Sequence, residues 1–414
     1  MNRLLPLAFA LLAAACTTAP SAHRTPMAPL VPASVAAPAA APQQVILISI
    51  DGFRPDYLGK GQTPVMDGLV AGGAFGPMRP SFPSVTFPNH YTLVTGLHPD
   101  HHGIVGNKFN DAELGVFTMA SKEPGFWAQG EPIWITAERQ GVRTGTMFWP
   151  GSETENHGLR PSLWQAYDKD VLGDARVDRI LWWLDLPEGQ RPKLETLYFD
   201  IVDTAGHHYG PDAEETRAAV ASVDASIGRL VEGLKARGLY DKTLLVIVSD
   251  HGMAATSPER VVWIDDIIDP AALQITSAGA FVSADPAPGR EAEVEQKLVG
   301  RHPHLECWNK ADVPARLAYG TNPRVAQVVC LVETGWTVTS RDRPVEKDGG
   351  AHGYDNQAPE MQAVFIAHGP GVVVGRRLTD LQSVDVQPFL VRVLGLTGPV
   401  VDGKAADTLA VTQP

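Results

Sequence analysis

The sequence predicts an α/β protein with a doubly wound, mostly parallel sheet and a smaller inserted subdomain. The first observation is a set of three apolar, β-rich runs that each end before an acid: Val45–Ile50 before Asp51, Leu197–Val202 before Asp203, and Leu244–Ser249 before Asp250. The second is that amphipathic helical stretches lie between these runs. Strands that alternate with helices in this way indicate a parallel sheet covered by helices on both faces.

The three runs predict central strands because each is apolar without the alternation of a half-exposed strand. Helices are expected at Ala213–Arg237, which ends at Gly238, and at Val177–Leu186, which ends before Pro187. In a parallel sheet the ligand site lies beyond the carboxyl ends of the strands. We therefore expect the three aspartates to converge at that edge.

The chain is predicted to have three parts. Residues 1–42 form a leader and a tether, residues 43–256 and 348–414 form the main α/β domain, and residues 257–347 form the inserted subdomain. The last segment breaks the strand and helix rhythm, with proline-rich turns and two of the three cysteines, Cys307 and Cys330.

The leader prediction depends on Arg3, the apolar run Leu4–Leu12 and the small residues before Cys16. This pattern is typical of a secretory signal peptide, and the apolar run is too short for a membrane-spanning helix. Cys16 is placed like the cysteine of a bacterial lipobox, so a periplasmic protein and an outer-membrane-anchored lipoprotein both stay open. Thr17–Pro42, rich in Ala, Pro, Ser and Thr, is expected to be a tether. Because export leads to an oxidising compartment, a Cys307–Cys330 disulfide is also expected, with two unpaired, buried thiols as the alternative.

The net charge of −13 argues against stable binding of long nucleic acid, because such binding relies on Lys and Arg to neutralise phosphates. Small phosphate esters held by metal ions remain compatible with this charge. The chain carries a matching set of His and Asp residues: His207 and His208 follow Asp203, His251 follows Asp250, and His352 lies before a glycine. Mixed imidazole and carboxylate ligands suit zinc, although manganese and iron stay open. His208 adjoins His207 and is not needed as a ligand.

Thr86 is the candidate nucleophile. It precedes Pro88 and an apolar helical run, so its hydroxyl is expected at a helix N-terminus, where free N–H groups favour negative charge. The alternative from the residues alone is that Thr86 serves only as a helix cap.

Seven motifs together resemble the nucleotide pyrophosphatase/phosphodiesterase family of the alkaline phosphatase superfamily, in the family's order over about residues 44–400. They are Ile50–Arg54, Thr86–His90, His102–Asn107, Phe148–Ser152, Asp203–Pro211, Asp250–Met253 and Ala351–Gly353. The resemblance implies an alkaline phosphatase-like core and hydrolysis of phosphodiester or pyrophosphate bonds in nucleotide-like substrates.

The resemblance also implies the role of each site residue. Two zinc ions are expected, one held by Asp51, Thr86, Asp250 and His251 and the other by Asp203, His207 and His352. Thr86 would form a phosphothreonine-type intermediate that water hydrolyses to release a nucleoside 5′-monophosphate. Asn107 would stabilise a non-bridging phosphate oxygen, although a simple turn asparagine is the alternative. Phe87 and Tyr167 would clasp the base, while Trp149 is expected in the wall of the site.

Other activities remain as alternatives. Some relatives cleave choline phospholipids, and a non-catalytic, metal-binding envelope lipoprotein could keep the same fold. The Cys/Ser-x-Pro-x-Arg context of sulfatases is not found around Thr86, and a threonine nucleophile with Asn107 favours diesters over monoesters.

Overall fold

The structure, a computed structural model, describes residues 42–412 of the 414-residue chain. The predicted signal peptide, Cys16 and nearly all of the tether lie outside the described residues. Among the helices of residues 42–412, none combines the length and the apolar character that a membrane span requires.

The strands of the described part are short, and most of them belong to two sheets. In chain order they are β1 (Gln44–Ile50), β2 (Ala74–Arg79), β3 (Lys108–Asp111), β4 (Gly115–Thr118), β5 (Thr144–Met147), β6 (Leu163–Gln165), β7 (Leu194–Phe199), β8 (Thr243–Val248), β9 (Ala254–Thr256), β10 (Val261–Trp263), β11 (Leu273–Ser277), β12 (Phe281–Pro286), β13 (Gly300–His302), β14 (Leu305–Asn309), β15 (Val328–Val332), β16 (Thr337–Thr339), β17 (Gly349–Ala351), β18 (Ala363–His368), β19 (Arg376–Arg377) and β20 (Leu381–Gln382).

The helices of the described part range from one turn to more than six turns. In chain order they are α1 (Pro64–Ala71), α2 (Thr86–Thr95), α3 (Pro99–His102), α4 (Pro124–Trp127), α5 (Ile133–Arg139), α6 (Gly173–Leu184), α7 (Ile201–Tyr209), α8 (Glu214–Ala236), α9 (Glu291–Lys297) and α10 (Val386–Leu394).

The main sheet has nine strands in the order β19-β2-β18-β8-β1-β7-β5-β6, with β20 also paired to β2. Strand β1 runs parallel to both of its neighbours, β7 and β8, and β5 continues the parallel arrangement to β6. Strand β18 is antiparallel to β8 and β2. The predicted doubly wound, mostly parallel sheet is thereby confirmed.

Both faces of the main sheet are buried. Val45 and Leu47 of β1 pack in one apolar cluster with residues of α2 and α10, whereas Ile46 and Ile48 pack in another with residues of α6 and α8. This division follows from the two-residue repeat of a strand. Burial of each such side chain contributes about 1.5–3 kcal/mol to folding, which explains why these runs lack alternation.

A second, antiparallel sheet lies within the segment predicted as the inserted subdomain. Its order is β11-β12-β15-β14-β13, and it has its own apolar cluster. Cys307 of β14 lies opposite Cys330 of β15, and the two residues form the expected disulfide bond. The bounds 257–347 for this subdomain stay a prediction.

One strand prediction was wrong. The run Leu197–Val202 was expected to reach Asp203, but β7 begins at Leu194 and ends at Phe199, and α7 begins at Ile201. Apolar, β-branched Ile201 and Val202 read as strand in the sequence, yet they form the first turn of a helix that packs against α8 and β17. Asp203 therefore lies on a helix, four residues before His207, so both side chains share one helix face.

Candidate active site

The candidate site lies at the carboxyl edge of the main sheet. Asp51 follows β1 directly, and Asp250 follows the neighbouring strand β8 after one intervening residue. Because β1 and β8 are parallel and adjacent, their ends meet at the same edge. The start of α7 brings Asp203 to this edge beside them, so the three predicted aspartates converge although one of them reaches the site from a helix.

The first ligand cluster, called here the buried cluster, consists of Asp51, Asp250 and His251. His251 Nε2 lies 3.5 Å from Asp51 Oδ1 and 3.0 Å from Asp250 Oδ2. All three side chains are almost completely buried. The hydroxyl of Thr86 lies beside this cluster, with 3.4 Å between Oγ1 and His251 Nε2.

The second cluster, called here the exposed cluster, consists of Asp203, His207 and His352. Asp203 Oδ1 lies 3.4 Å from His207 Nε2 and 3.5 Å from His352 Nε2. The His207 side chain is 41% exposed, so this cluster opens to solvent. The rings of His251 and His352 stack with 3.6 Å between their centroids, which places the two clusters side by side.

Each histidine in the clusters has its ring orientation fixed by a backbone carbonyl. The Nδ1–H of His207 donates to Gly350 O at 2.8 Å, that of His251 to Gly252 O at 2.9 Å, and that of His352 to Ser84 O at 3.0 Å. A carbonyl oxygen only accepts, so the proton belongs on Nδ1 in all three rings. The unprotonated Nε2 atoms then face the carboxylates, as metal-ligating histidines require.

The carboxylates of the clusters fit cations. Asp51 Oδ1, Asp203 Oδ1 and Asp250 Oδ2 are buried, and among the described residues they have no hydrogen-bond partner. An orphaned, buried carboxylate oxygen is costly unless a positive charge compensates it. Tetrahedral ligands at the usual zinc distances lie about 3.3 Å apart, close to the separations in both clusters. These two observations support a metal ion at each cluster.

The pKa shifts differ from one carboxylate of the site to the next. Burial, together with the nearby charge of Asp250, raises the pKa of Asp51 well above its usual value. Burial likewise raises the pKa of Asp203. For Asp250 the burial effect is outweighed by the His251 and His90 rings when these are protonated, so its pKa then lies well below the usual range. Burial lowers the pKa of His352 and keeps its ring neutral, as a metal ligand must be.

Thr86 is the first residue of α2 and does not serve as its cap. The N-cap position is held by Val85, which has an extended backbone and makes no capping hydrogen bond through its own side chain. His90 lies one helical turn after Thr86 on α2. Its Nδ1–H donates to Thr86 O at 2.9 Å, and its Nε2 lies 2.8 Å from Ser49 Oγ. The Thr86 hydroxyl is therefore held at the positive end of α2, beside the buried cluster.

Asn107 contacts the same helix end through its amide. Its Oδ1 accepts the N–H of Phe87 at 2.9 Å. Because the oxygen is committed, the two Nδ2–H donors are the atoms that face away from the helix. No protein acceptor bonds Nδ2 within residues 42–412. The amide oxygen is thus fixed to the residue that follows Thr86 in the chain, and the role that the resemblance implies for Asn107 stays a prediction.

A cavity of about 300 Å³ is lined by Thr86, by Asp51 and Asp203 of the two clusters, and by both predicted base-clasping residues, Phe87 and Tyr167. Tyr167 is 45% exposed, and its hydroxyl donates to Asp200 Oδ2 at 3.0 Å. Trp149 is buried in the wall, as expected, and its Nε1–H donates to His90 O. Thr86, Phe87, Trp149 and Tyr167 therefore share one cavity, whereas His208 is exposed and belongs to neither cluster.

Sequence reasoning assigned no role to several residues that shape the site. His90 could have been found, because it lies four residues after Thr86 on one helix. Tyr198, whose hydroxyl donates to Asp51 Oδ2 at 2.6 Å, comes from the neighbouring strand. The buried Arg176 pairs with Asp200 at 2.7 Å and so fixes the acceptor for Tyr167. No local signal reveals these last partnerships, because they join residues that are distant in the sequence or in different elements.

Comparisons with known proteins identify the family of the chain. The sequence profile of the family described as type I phosphodiesterase / nucleotide pyrophosphatase matches residues 45–355. An uncharacterized pyrophosphatase/phosphodiesterase of Schizosaccharomyces pombe is 41% identical over 378 residues, which is 85% of this chain and 77% of that protein. A venom phosphodiesterase of Crotalus durissus collilineatus is 35% identical over 381 residues, 87% of this chain but only 45% of its own length.

Solved structures give the same result. The murine ectonucleotide pyrophosphatase/phosphodiesterase 5 has a TM-score of 0.86 and 32% identity, and the match covers 90% of this chain and all of that one. A second structure of the murine protein is an inactive threonine-to-alanine variant in complex with AMP, with the same TM-score, identity and coverage.

Proposed function

The chain belongs to the type I phosphodiesterase / nucleotide pyrophosphatase family of the alkaline phosphatase superfamily and is a phosphodiesterase-type hydrolase. We propose that it is a metal-dependent enzyme that cleaves phosphodiester or pyrophosphate bonds of nucleotide-like substrates and releases a nucleoside 5′-monophosphate. The nucleotide preference is supported by the AMP complex of the murine relative and by the aromatic cavity next to Thr86.

Two zinc ions are proposed as the cofactors. Asp51, Asp250, His251 and the hydroxyl of Thr86 would hold one ion, and Asp203, His207 and His352 would hold the other. When bound, such ions lower the pKa of a hydroxyl ligand and neutralise charge on phosphate oxygens. This division is supported by the two separate groups of ligand atoms and by their orphaned oxygens.

Thr86 is proposed as the nucleophile. Its hydroxyl gives up its proton, and Oγ forms a bond to phosphorus while the bond from phosphorus to the leaving oxygen breaks. The leaving group takes up a proton, and a nucleotidyl-threonine diester remains. Water then attacks the same phosphorus, the bond to Thr86 Oγ breaks, and the hydroxyl regains its proton. Support comes from the place of Thr86 at the positive end of α2 and from the inactivity of the threonine-to-alanine variant of the murine relative.

The remaining residues would hold the substrate. Asn107 would donate from Nδ2 to a non-bridging oxygen, where charge grows in the transition state. Phe87 and Tyr167 would stack on the base, which gives nucleotide preference with little base choice. The Tyr167 ring is anchored for this role through its hydroxyl, Asp200 and the buried Arg176.

The observation that carries this proposal is the convergence of partnerless carboxylate oxygens and unprotonated imidazole nitrogens on two points beside one threonine hydroxyl. The most informative experiment is steady-state turnover of a panel with a nucleotide diester, a nucleoside monophosphate, a sulfate ester and a choline phosphodiester. We expect the nucleotide diester to be cleaved with the highest kcat/KM. A higher kcat/KM for the choline substrate would contradict the nucleotide assignment, and no turnover at all would favour a binding protein.

The cellular location is proposed from the leader alone. We propose export to a bacterial periplasm, with or without an outer-membrane lipid anchor at Cys16. The mass of the mature N-terminus separates the two cases, because a lipoprotein begins at Cys16 with the added mass of a lipid. An uncleaved Met1 on material from the cell envelope would contradict the export proposal.

A further inference from the structure

The connection between β14 and β15 reaches out of the second sheet and contacts residues 103–111, the loop and strand that carry Asn107. Four residues of this connection, Tyr319, Thr321, Asn322 and Arg324, make hydrogen bonds to this region or to the helix before it. The contacts are largely buried, although they join parts of the chain more than 200 residues apart. Because these contacts lie on both sides of Asn107, they indicate that the connection holds the segment that carries this residue.

Arg324 makes the largest number of these bonds. Its Nη1 donates to Gly103 O at 2.9 Å and to Phe126 O at 2.6 Å, while Nη2 donates to Gly125 O at 3.0 Å. Its Nε pairs with Asp111 Oδ2 at 2.7 Å. The guanidinium therefore holds both ends of residues 103–111, and with a side chain only 4% exposed it is sheltered from water.

Two further contacts fix the loop between those ends. The hydroxyl of Tyr319 donates to Val105 O at 2.7 Å, two residues before Asn107. The Arg324 guanidinium also lies over the ring of Phe109, two residues after Asn107, with 5.5 Å to the centroid. Asn107 is therefore flanked on both sides by residues that the connection holds.

The connection is itself anchored to the helix that precedes the loop. Asp100 of α3 accepts the backbone N–H groups of Gly320 at 3.0 Å, Thr321 at 2.7 Å and Asn322 at 3.1 Å. Its carboxylate thus binds three successive amides between Tyr319 and Arg324. These hydrogen bonds fix the backbone of the connection, from which the side chains of Tyr319 and Arg324 reach the loop.

From these contacts we infer that Arg324 and Tyr319 are positioning residues for catalysis. They hold the Asn107 side chain in the place from which its amide donates to the phosphate oxygen in the transition state. The inference rests on the role proposed for Asn107. A donor that stabilises developing charge must be placed in advance, because a displacement of about 1 Å costs up to roughly 100-fold in rate. The second sheet would thereby contribute to the chemistry through the connection between two of its strands.

A double-mutant cycle tests this coupling. Arg324→Lys keeps the charge but loses the fork of donors, and Tyr319→Phe loses only the hydroxyl bond to Val105. Each is measured alone and combined with Asn107→Ala on a nitrophenyl ester of a nucleoside monophosphate. We expect Asn107→Ala to lower kcat by about 100-fold and Arg324→Lys by about tenfold, with little change in KM.

The expected result is that Arg324→Lys and Tyr319→Phe lower kcat by no more than about twofold when Asn107 is already alanine. A full tenfold loss in both backgrounds would overturn the inference, and so would an Arg324→Lys enzyme with unchanged kcat. Arg392→Lys serves as the matched control, because Arg392 is also buried but bonds Thr408 and Thr412 near the C-terminal end of the described chain. It should lower the melting temperature without lowering kcat. If Asn107→Ala alone leaves kcat unchanged, the proposed role of Asn107 itself is wrong. That outcome differs from one in which Asn107→Ala lowers kcat but Arg324 and Tyr319 act independently of Asn107.

Discussion

The two ligand clusters are built from the same residue types but differ in how the chain holds them. In the buried cluster the ligands follow two adjacent parallel strands, so the hydrogen-bond register of β1 and β8 fixes their separation. In the exposed cluster two ligands lie on one helix, α7, and the third follows the short strand β17. His207 is 41% exposed there, while His251 of the buried cluster is fully covered.

We infer that burial and scaffold together would set how strongly each cluster depends on the ion proposed for it. In the buried cluster, removal of an ion leaves charged groups that water cannot reach, so loss of a ligand is costly. In the exposed cluster, water can replace part of a lost ligand. We therefore expect tight, slowly exchanging metal in the buried cluster and weaker, faster exchanging metal in the exposed cluster.

The largest effect is expected for Asp250→Asn in the buried cluster. Asp250 accepts the Gly52 N–H at 3.2 Å through Oδ1, while Oδ2 faces His251 and His90. Loss of this charge should lower kcat/KM by at least about 10³-fold, because several kcal/mol of metal-assisted stabilisation disappear. Elemental analysis should find about one zinc ion per chain fewer than in the parent enzyme. Retention of both ions with kcat/KM within about tenfold of the parent would show that Asp250 is not a ligand.

A smaller loss is expected for His207→Ala in the exposed cluster. The variant should lose about 10²-fold in kcat and recover part of it in excess zinc, because the site is open to solvent. The matched control is His208→Ala, since His208 is the adjacent exposed histidine that belongs to neither cluster. It should stay within about twofold of the parent. A His207→Ala enzyme that is as inactive as Asp250→Asn and gains nothing from zinc would remove the distinction between the clusters.

A still smaller effect is expected for the aromatic residues of the cavity, which belong to neither cluster. Phe87→Ala should cost about 1–3 kcal/mol in transition-state binding for nucleotide substrates, the magnitude of a lost stack. A nitrophenyl methyl phosphate has no base and should be cleaved almost equally well by both proteins. The ring of Phe87 also packs near Phe117 and Trp127, with 6.1 Å between centroids in both cases. Equal losses on both substrates would therefore mean that Phe87 supports the scaffold instead of the base.

The smallest effect concerns a buried acid away from the clusters. Glu195 of β7 is fully buried, and within the described residues neither carboxylate oxygen has a hydrogen-bond partner. Burial raises the pKa of Glu195 well above its usual value, and Arg191 only partly opposes this. The contribution of Glu195 to the free energy of unfolding is therefore most favourable below its unfolded-state pKa, where the carboxyl is neutral in both states. This contribution is lost as the pH rises through the folded-state pKa, because the buried carboxyl then becomes charged.

Glu195→Gln should consequently raise the melting temperature at pH 8 by about 2 °C or more, and the gain should shrink as pH falls toward 4. Its kcat should equal that of the parent, because no histidine or second acid joins Glu195 in a cluster. A melting temperature that is unchanged at both pH values would show that the carboxyl is not destabilised by burial. A loss of bound zinc would contradict the assignment of the ligands to the two clusters alone.

Much of the fold could be predicted from local pattern. The runs at β1 and β8 were visible because strands buried on both faces are uniformly apolar, and the aspartates after them then followed from the parallel arrangement. The end of β7 could not be predicted, since Ile201 and Val202 favour a strand locally and become helical only through packing of α7 against α8 and β17. Propensity is a weak prior where tertiary contacts decide.

For a related reason, the sequence predicts some residues of the site and not others. The ligand residues lie in short motifs with fixed spacing, so the resemblance could name them, and the structure brings them into two clusters without testing their roles. Tyr198, Arg176 and Arg324 act through long-range contacts that no local spacing encodes. Arg324 in particular meets Gly103 across 221 positions of sequence. Such partners become visible only when the chain is folded.

The central claim is that Thr86 attacks phosphorus and carries the nucleotide as a covalent intermediate. The most direct measurement is the stereochemistry of hydrolysis of a chiral phosphorothioate diester in isotopically labelled water. Two successive displacements, first by Thr86 and then by water, predict net retention of configuration at phosphorus. Net inversion would mean that water attacks the substrate directly, and it would contradict the role of Thr86 as the nucleophile.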